Sequence, residues 1–463
     1  MINLLKTSNK QNRSYIIPIS LIAFLSMGIS CKKYLDVKPV QSLSVPSTLD
    51  DLQAILDRYD LVNQKGPLLL ETLSDNYYIT TSTYNSRPIV DDRTNYVWDA
   101  NATYYNNWYM PYSGPVYYSN VVQDLLPSIK IGESERTRYN NIHGAALFIR
   151  ANAFWELAQL YCLPYSTDNM NEAGIVLRLN SNINEASVRS SVGQTYSQIT
   201  EDLKVAATEL PDNAIYPTRP IKSAALGLLA RVYLSMRDYG NAKKFADSAL
   251  KINNYLLDFN SLIPLKTPPV PLFNKEILYF NRPNYHTLLQ NTIAKIDSTL
   301  IGMYQVNDLR KTVFFKANTD GTFGFQGSYE GTSVVWGPFD GVITDELYLI
   351  MAECEARSEN INGAMKWLNS LLKTRWKSGQ FSDITAATSA EALSIVLKER
   401  RKELVYRGLR WSDLRRLNIE GANFTLKRLV NNITYTLPPN DKRWVLLIPQ
   451  EVISISNIKQ NPR

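Results

Sequence analysis

The sequence predicts a mainly α protein, a single α-rich domain of paired helices interrupted by long irregular segments. Two observations carry that expectation. Residues 221–250 and 345–375 each read as two amphipathic helices joined by a short turn, with small residues on the facing sides. Residues 72–119 and 257–340 lack sustained periodicity and are crowded with aromatic, Asn, Asp, Gly and Pro residues.

The chain opens on Lys6, Lys10 and Arg13 with no acid among them, then an apolar run from Tyr15 to Phe24 and on to Met27. Small residues follow, directly before Cys31. This layout predicts an export signal, and the run falls short of the roughly 20 apolar residues of a membrane span. Residues 1–30 are therefore expected to be a lipoprotein signal peptide, with Cys31 as the lipid attachment site. Residues 31–47 read as a tether, broken by Pro39 and Pro46.

A helix is expected to start near Thr48, with Leu52, Ile55 and Leu56 on one face. Residues 72–119 follow as long surface loops with short helical pieces, the kind of segment that carries function. From Ile142 a stripe of Ala146, Ile149, Ala153, Leu157 and Leu160 predicts a helix that Pro164 stops. After an insertion of about thirty residues, Ile199, Leu203, Ala206 and Leu210 mark the next helix. Leu226, Leu229, Ala230 and Tyr233 then face Ala242, Ala246 and Ala249 across a turn at 236–239. That is the spacing of a tetratricopeptide hairpin. Tyr348, Met351 and Ala352 face Ala364, Leu368 and Leu371 in a second one. The domain is expected to divide into an N-terminal part over 48–260 and a C-terminal part over 261–463.

Composition narrows the function. The net charge of +7 includes the basic start of the signal, which leaves too mild a balance for nucleic acid. The basic run at 400–416 is interleaved with Glu399, Glu403 and Asp413, which reads as a salt-bridge network, with Glu403 and Arg407 one turn apart as an i,i+4 pair. Gly408 is placed to end this helix in a left-handed turn. Cys162 and Cys354 fall in helical patterns and are expected to be buried and unpaired. Neither CxxC nor HExxH occurs, so no metal site and no cofactor is expected. GxSxG is absent, and His143 and His286, the chain's 2 histidines, are expected to be structural or exposed. The 28 tyrosines are the compositional bias, and a flat ring with a polar tip suits a recognition surface.

Five segments, in order, resemble one family. CKKYLDVKP at Cys31, IHGAALFIRANAFWELAQLYCLP, SAALGLLARVYLSMRDYGNAKKFADSAL, ERRKELVYRGLRWSDLRRLN and LIPQEVISISNIKQNP are similar to motifs of SusD/RagB nutrient-binding lipoproteins. In the fourth segment Glu399, Arg400, Glu403, Leu404, Gly408, Arg410, Asp413, Leu414 and Arg416 match, while Arg407 stands where the family has Glu. The resemblance implies a lipid-anchored protein on the outer face of the outer membrane. It implies a SusC-like TonB-dependent barrel as partner and an oligosaccharide or similar nutrient as cargo, bound by the irregular loops and not altered. Sugar faces stack on aromatic rings and their hydroxyls need polar partners. Trp98, Tyr104, Tyr329 and Trp336 are the expected stacking platforms, and Asp75, Arg87 and Asn101 the expected hydroxyl partners. Two alternatives remain at this point: an exported glycoside hydrolase with two spaced carboxylates, and a structural lid whose rings touch only the barrel.

Overall fold

Thr48 begins the first helix, Leu49–Leu56, as its sequence demands. Its hydroxyl accepts from the Asp51 N–H at 3.1 Å while the Asp51 carboxylate accepts from the Thr48 N–H at 3.0 Å, a reciprocal cap. The computed structural model describes residues 46–262, 269–283, 286–331 and 339–463. Cys31, the signal peptide, most of the tether and Trp336 lie outside the described residues. Thr48–Arg463 forms one unit.

The central helix is Arg136–Tyr161, longer than its apolar stripe predicts, and it is buried on every side from Gly144 to Tyr161. Its remaining faces carry polar residues that burial obliges to find partners. Arg150 grips Asp202 with two bonds, 2.8 and 2.9 Å long, and Gln159 donates to the Tyr196 hydroxyl at 2.9 Å. Val192–Glu209 packs against it, then Lys222–Met236, then Tyr239–Ile252.

The two predicted hairpins are present. Arg237 turns the first at φ 63° and Asp238 caps the second helix through the Asn241 N–H at 3.0 Å. Ala225 and Ala230 on one helix, and Ala242, Ala246 and Ala249 on the other, are all fully enclosed, which lets helix axes approach to about 8–10 Å. Tyr233 lies parallel to Phe245 at 5.5 Å. The second hairpin, Thr344–Arg357 and Ile361–Lys373, buries Ala352, Ala364, Leu368 and Leu371 and sets Tyr348 edge-on to Trp367 at 5.3 Å. Ser389–Glu403 and Arg410–Ile419 complete the helical frame. The sheets among the described residues are two-stranded. Cys162 and Cys354 are buried and free.

The acids interleaved with the basic run do form an ion network, and it is internal. Arg310 meets Asp308, Glu399 and Glu403 at 2.7, 2.6 and 3.0 Å. Arg375 meets Glu276 and Glu403 at 2.7 and 2.6 Å. Arg416 binds Glu353 and Asp413, at 2.6 and 2.9 Å. The expected Glu403–Arg407 pair is absent. The helix ends at Glu403, so Arg407 no longer lies one turn further along it, and Arg407 pairs instead with Asp345 at 2.7 Å. Gly408 is left-handed at φ 66° but lies beyond the helix end, which Leu404 caps. Its N–H donates to Glu71 at 3.1 Å.

Candidate functional site

The aromatic segment 105–125 owes its shape to two prolines. Helix Tyr105–Pro111 runs into a π turn, Tyr112–Val116, and then into helix Tyr117–Leu125. Pro111 and Pro115 remove two backbone donors, so the regular ladder cannot continue. Gly114 sits at the turn with a non-helical backbone, and a Cβ there would lie 2.5 Å from the Leu61 carbonyl oxygen. The turn therefore aims the rings before and after it into one open groove of about 560 Å3.

Trp108 forms the floor, edge-on to Tyr161 at 4.9 Å. Tyr112 pins the opposite wall: its hydroxyl donates to the Val176 carbonyl at 2.8 Å and accepts from the Val176 N–H at 3.1 Å. Burial raises the pKa of that hydroxyl, which keeps it a donor. Tyr109 is 50% exposed at the rim and lies parallel to Tyr105 at 5.3 Å. Ile183 and Ile455 are exposed at the lip.

The polar wall is loop 177–188, which strands Ala173–Val176 and Arg189–Ser191 present. Asn120 holds it, donating to the carbonyls of Arg178 and Asn180 at 2.8 and 3.1 Å, and Asn120 is itself fixed by Arg150 at 2.9 Å. Asp124 accepts from both the N–H and the hydroxyl of Ser181, at 2.7 and 2.6 Å. Arg178 donates to the Glu185 carbonyl and the Ser187 hydroxyl. The loop is thus held from below, with Asn180, Asn182 and Arg178 on the groove wall. Among the described residues the lining carries no Asp, Glu, His or Cys. Such a surface can stack rings and exchange hydrogen bonds, but it offers no carboxylate pair for acid–base chemistry.

The expected site residues fall elsewhere. Trp98 and Tyr329 are corrections: their exposures of 3% and 1% leave no face for a sugar. The Trp98 indole donates to the Leu73 carbonyl at 3.1 Å, and the Tyr329 hydroxyl to Glu276 at 2.9 Å beneath Arg407. Both rings satisfy their polar tips inside the core, as buried Trp and Tyr must. Asp75 is a third correction, since its carboxylate is bound by Arg410 at 2.7 and 2.9 Å and by Arg401 at 3.3 Å. Burial opposes ionisation there, but Arg410 and Arg401 hold its pKa below the usual carboxylate range.

Tyr104 and Arg87 come together, both half-buried, around Asp92 and His286. The His286 ring lies 6.0 Å from the Tyr104 ring and 3.6 Å from Asp92, and burial, then the Arg87 charge, lowers its pKa to about 4. Asn101 is exposed on the Asp99 turn, apart from this pair. The groove residues Tyr109, Tyr117, Asn180 and Asn182 were not singled out from the sequence. Their signal was present in NNWYMPYSGPVYYSN, with rings on both sides of a proline break, and in the polar run RLNSNINEAS.

Two family models match the sequence, one described as starch-binding associating with outer membrane over residues 33–234 and one described as the SusD family over residues 345–462. The chain belongs to the SusD/RagB family. Its fold is that of a SusD superfamily protein from Bacteroides thetaiotaomicron VPI-5482, at 21% identity and a TM-score of 0.71 over 90% of this chain and 100% of that one. A SusD-like carbohydrate binding protein from Bacteroides vulgatus ATCC 8482 aligns at 17% identity and a TM-score of 0.66, covering 89% of this chain and 97% of that one. A laminarin binding SusD-like protein aligns at 16% identity and a TM-score of 0.64, covering 90% and 99%. No curated protein matches the sequence. No helix among the described residues is long and apolar enough to cross a membrane.

Proposed function

We propose that this chain captures a carbohydrate nutrient at the cell surface and passes it, unaltered, to a SusC-like TonB-dependent barrel. Lipid on Cys31 would hold it to the outer membrane. The groove floored by Trp108 and rimmed by Tyr109 is the observation that carries the reading. It joins flat apolar faces to amide and hydroxyl groups on a pre-positioned wall, which is what a sugar ring with equatorial hydroxyls requires. The family model's description and the laminarin-binding relative support a glucan cargo. The carboxylate-free lining argues against a hydrolase at this groove. Tyr104, Arg87 and Asn101 precede the aromatic segment 105–125 in the chain and would extend the proposed surface beyond the groove.

The energetics suit a carrier. Burying one ring face contributes about 1.5–3 kcal/mol and each hydrogen bond about 0.5–1.5 kcal/mol net. Two rings and a few polar contacts, less the ordering cost, give micromolar to millimolar affinity. Calorimetry on the lipid-free protein with laminarin and starch oligosaccharides tests the reading. Binding that is saturable, weakened in Tyr109→Ala and free of any shortening of the glycan is the expected result. Absence of binding to any glycan, or cleavage of the bound one, overturns it.

A further inference from the structure

A second opening, of about 270 Å3, shares no lining residue with the groove among the described residues. It lies between helices Ser389–Glu403 and Arg410–Ile419. Among the described residues four cations line it, Lys398, Arg400, Arg401 and Arg410, against a single carboxylate, Asp413.

The nearby acids are already divided. Asp413 is split between Arg400 at 2.8 Å and Arg416 at 2.9 Å. Asp75 accepts from Nε and Nη2 of Arg410 and is also met by Arg401 at 3.3 Å. Asp297 lies 3.4 Å from Arg401, and Glu346, bound to Arg231 at 2.7 Å, lies 3.8 Å from Arg400. Two guanidinium nitrogens are left over. Arg400 Nη1 and Arg401 Nε are buried with no hydrogen-bond partner among the described residues, and Arg400 as a whole is 3% exposed.

A buried ionised N–H without an acceptor is costly, so a purely structural network would be expected to satisfy it. Guanidinium groups match the oxygens of phosphate, sulfate and carboxylate, and do so most strongly where apolar walls exclude water. Leu397, Leu417 and Phe424 supply such walls, and Lys398 is exposed, free to approach an arriving anion. Burial pulls the Arg401 pKa down and Arg410 adds repulsion, against the pull of Asp75; a bound anion relieves both.

We propose that this opening binds a small oxyanion, a sulfate, phosphate or carboxylate group, through Arg400, Arg401 and Lys398. The group has two sources, a free inorganic ion or the charged substituent of an acidic sugar. The site stands independently of the aromatic groove.

Calorimetry with sodium sulfate and sodium phosphate, against sodium chloride at equal ionic strength, tests the proposal on the lipid-free protein. One-site saturable binding is expected for sulfate or phosphate and not for chloride. Lys398→Ala, on an exposed side chain, should weaken it severalfold, and Arg401→Gln about tenfold or more. A sulfated or uronic monosaccharide measured in the same way separates the sources. Binding that shares the dependence on Arg401 places the group on the cargo, whereas binding of the inorganic ions alone identifies a free ion, and either result sustains the site. No binding above chloride, or binding unchanged in both variants, overturns it.

Discussion

The buried ion network of the C-terminal half and the aromatic segment 105–125 use charge and rings in opposite ways. Around Arg310 and Arg375, four carboxylates, Asp308, Glu399, Glu403 and Glu276, are enclosed and bonded to the two guanidiniums. The partners come from helix Ser389–Glu403 and from the segments around residues 276, 308 and 375, so the network fixes how those elements sit. In the aromatic segment the floor is packed but the rim is open: Trp108 is enclosed while Tyr105 and Tyr109 present rings to solvent. Polar residues there hold backbone, as Asn120 and Asp124 do, with Asn182 on the groove wall beyond them. Rigidity is concentrated in the enclosed network and not at the rim of the groove. The motif residues that make the family recognisable, Glu399, Arg400, Glu403, Asp413 and Arg416, set the frame, and the aromatic groove is carried on segments outside them.

The sharpest test of that division is Arg375→Ala. Its guanidinium touches Glu276, Glu403 and the Leu257 carbonyl, all internal. Removing one partner of a buried pair leaves uncompensated charge and costs about 3–5 kcal/mol. Urea unfolding should show a loss of that size; a loss below about 1 kcal/mol would mean water reaches the network and the frame is not enclosed. Gly114→Ala comes next, because the groove also needs one rigid point. Its Cβ would press on the Leu61 carbonyl and on Lys65 Cβ at 2.7 Å, and overpacking of this kind costs about 1–3 kcal/mol. Thermal unfolding should register that loss, and glycan binding should fall with it as the rings are re-aimed.

The frame was largely legible because its signal is local. Alanine spacing at 225–249 and 352–364 predicts close helix crossings, and the crossings are there. Thr48 and Asp51 specify a cap that forms. The interleaved acids predict an ion network, though the sequence cannot show that Glu403 ends its helix and so loses Arg407 as a neighbour. The site was less legible because a ring's exposure depends on partners far away in the chain. Trp98 looks like a free ring in its loop, yet Arg428, some three hundred residues on, lies 5.2 Å from it and also covers Tyr77 and Tyr96. Asp75 likewise appears available until Arg410 reaches it across 335 positions. Only long-range packing sorts such residues into core and surface.

A smaller effect lies on the seam between the two regions. Glu71 accepts from Asn76 at 2.8 Å, from the Gly408 N–H at 3.1 Å and from the Ser74 hydroxyl at 3.3 Å, with no cation bonded to it among the described residues. Burial outweighs these bonds and raises its pKa from 4.5 to about 7. A carboxyl whose folded pKa is raised binds a proton in the folded state that the unfolded state has released. Its contribution is therefore fully present below about pH 4.5 and is lost as pH rises through 7. Asp413 and Glu353, held low by arginines against the pull of burial, act in the opposite sense and lose their contribution as pH falls. Glu71→Gln isolates the first group. The stability of the wild type relative to this variant should drop by about 1–3 kcal/mol between pH 5 and pH 8. A difference that stays flat over that range, or rises, would place Glu71 in the ionised class with Asp413.

Tyr109→Ala should have the smallest effect on stability and a large one on binding. The ring is half exposed and packs on Tyr105, itself 41% exposed, so its loss opens no cavity in the core. Substitutions of exposed side chains fall within about 0.5 kcal/mol, and urea midpoints should agree to that extent. Binding is different, because a ring face covered by sugar contributes about 1.5 kcal/mol or more, which is roughly tenfold in affinity. Trp98→Phe inverts the pattern: it removes an enclosed indole bonded to Leu73 and should lower stability while leaving glycan affinity near the wild-type value. If instead the Trp98 variant loses binding and the Tyr109 variant keeps it, the recognition surface lies toward residues 75–101 and the groove is a partner contact. The two calorimetric titrations, run beside the two urea curves, separate these outcomes in one experiment.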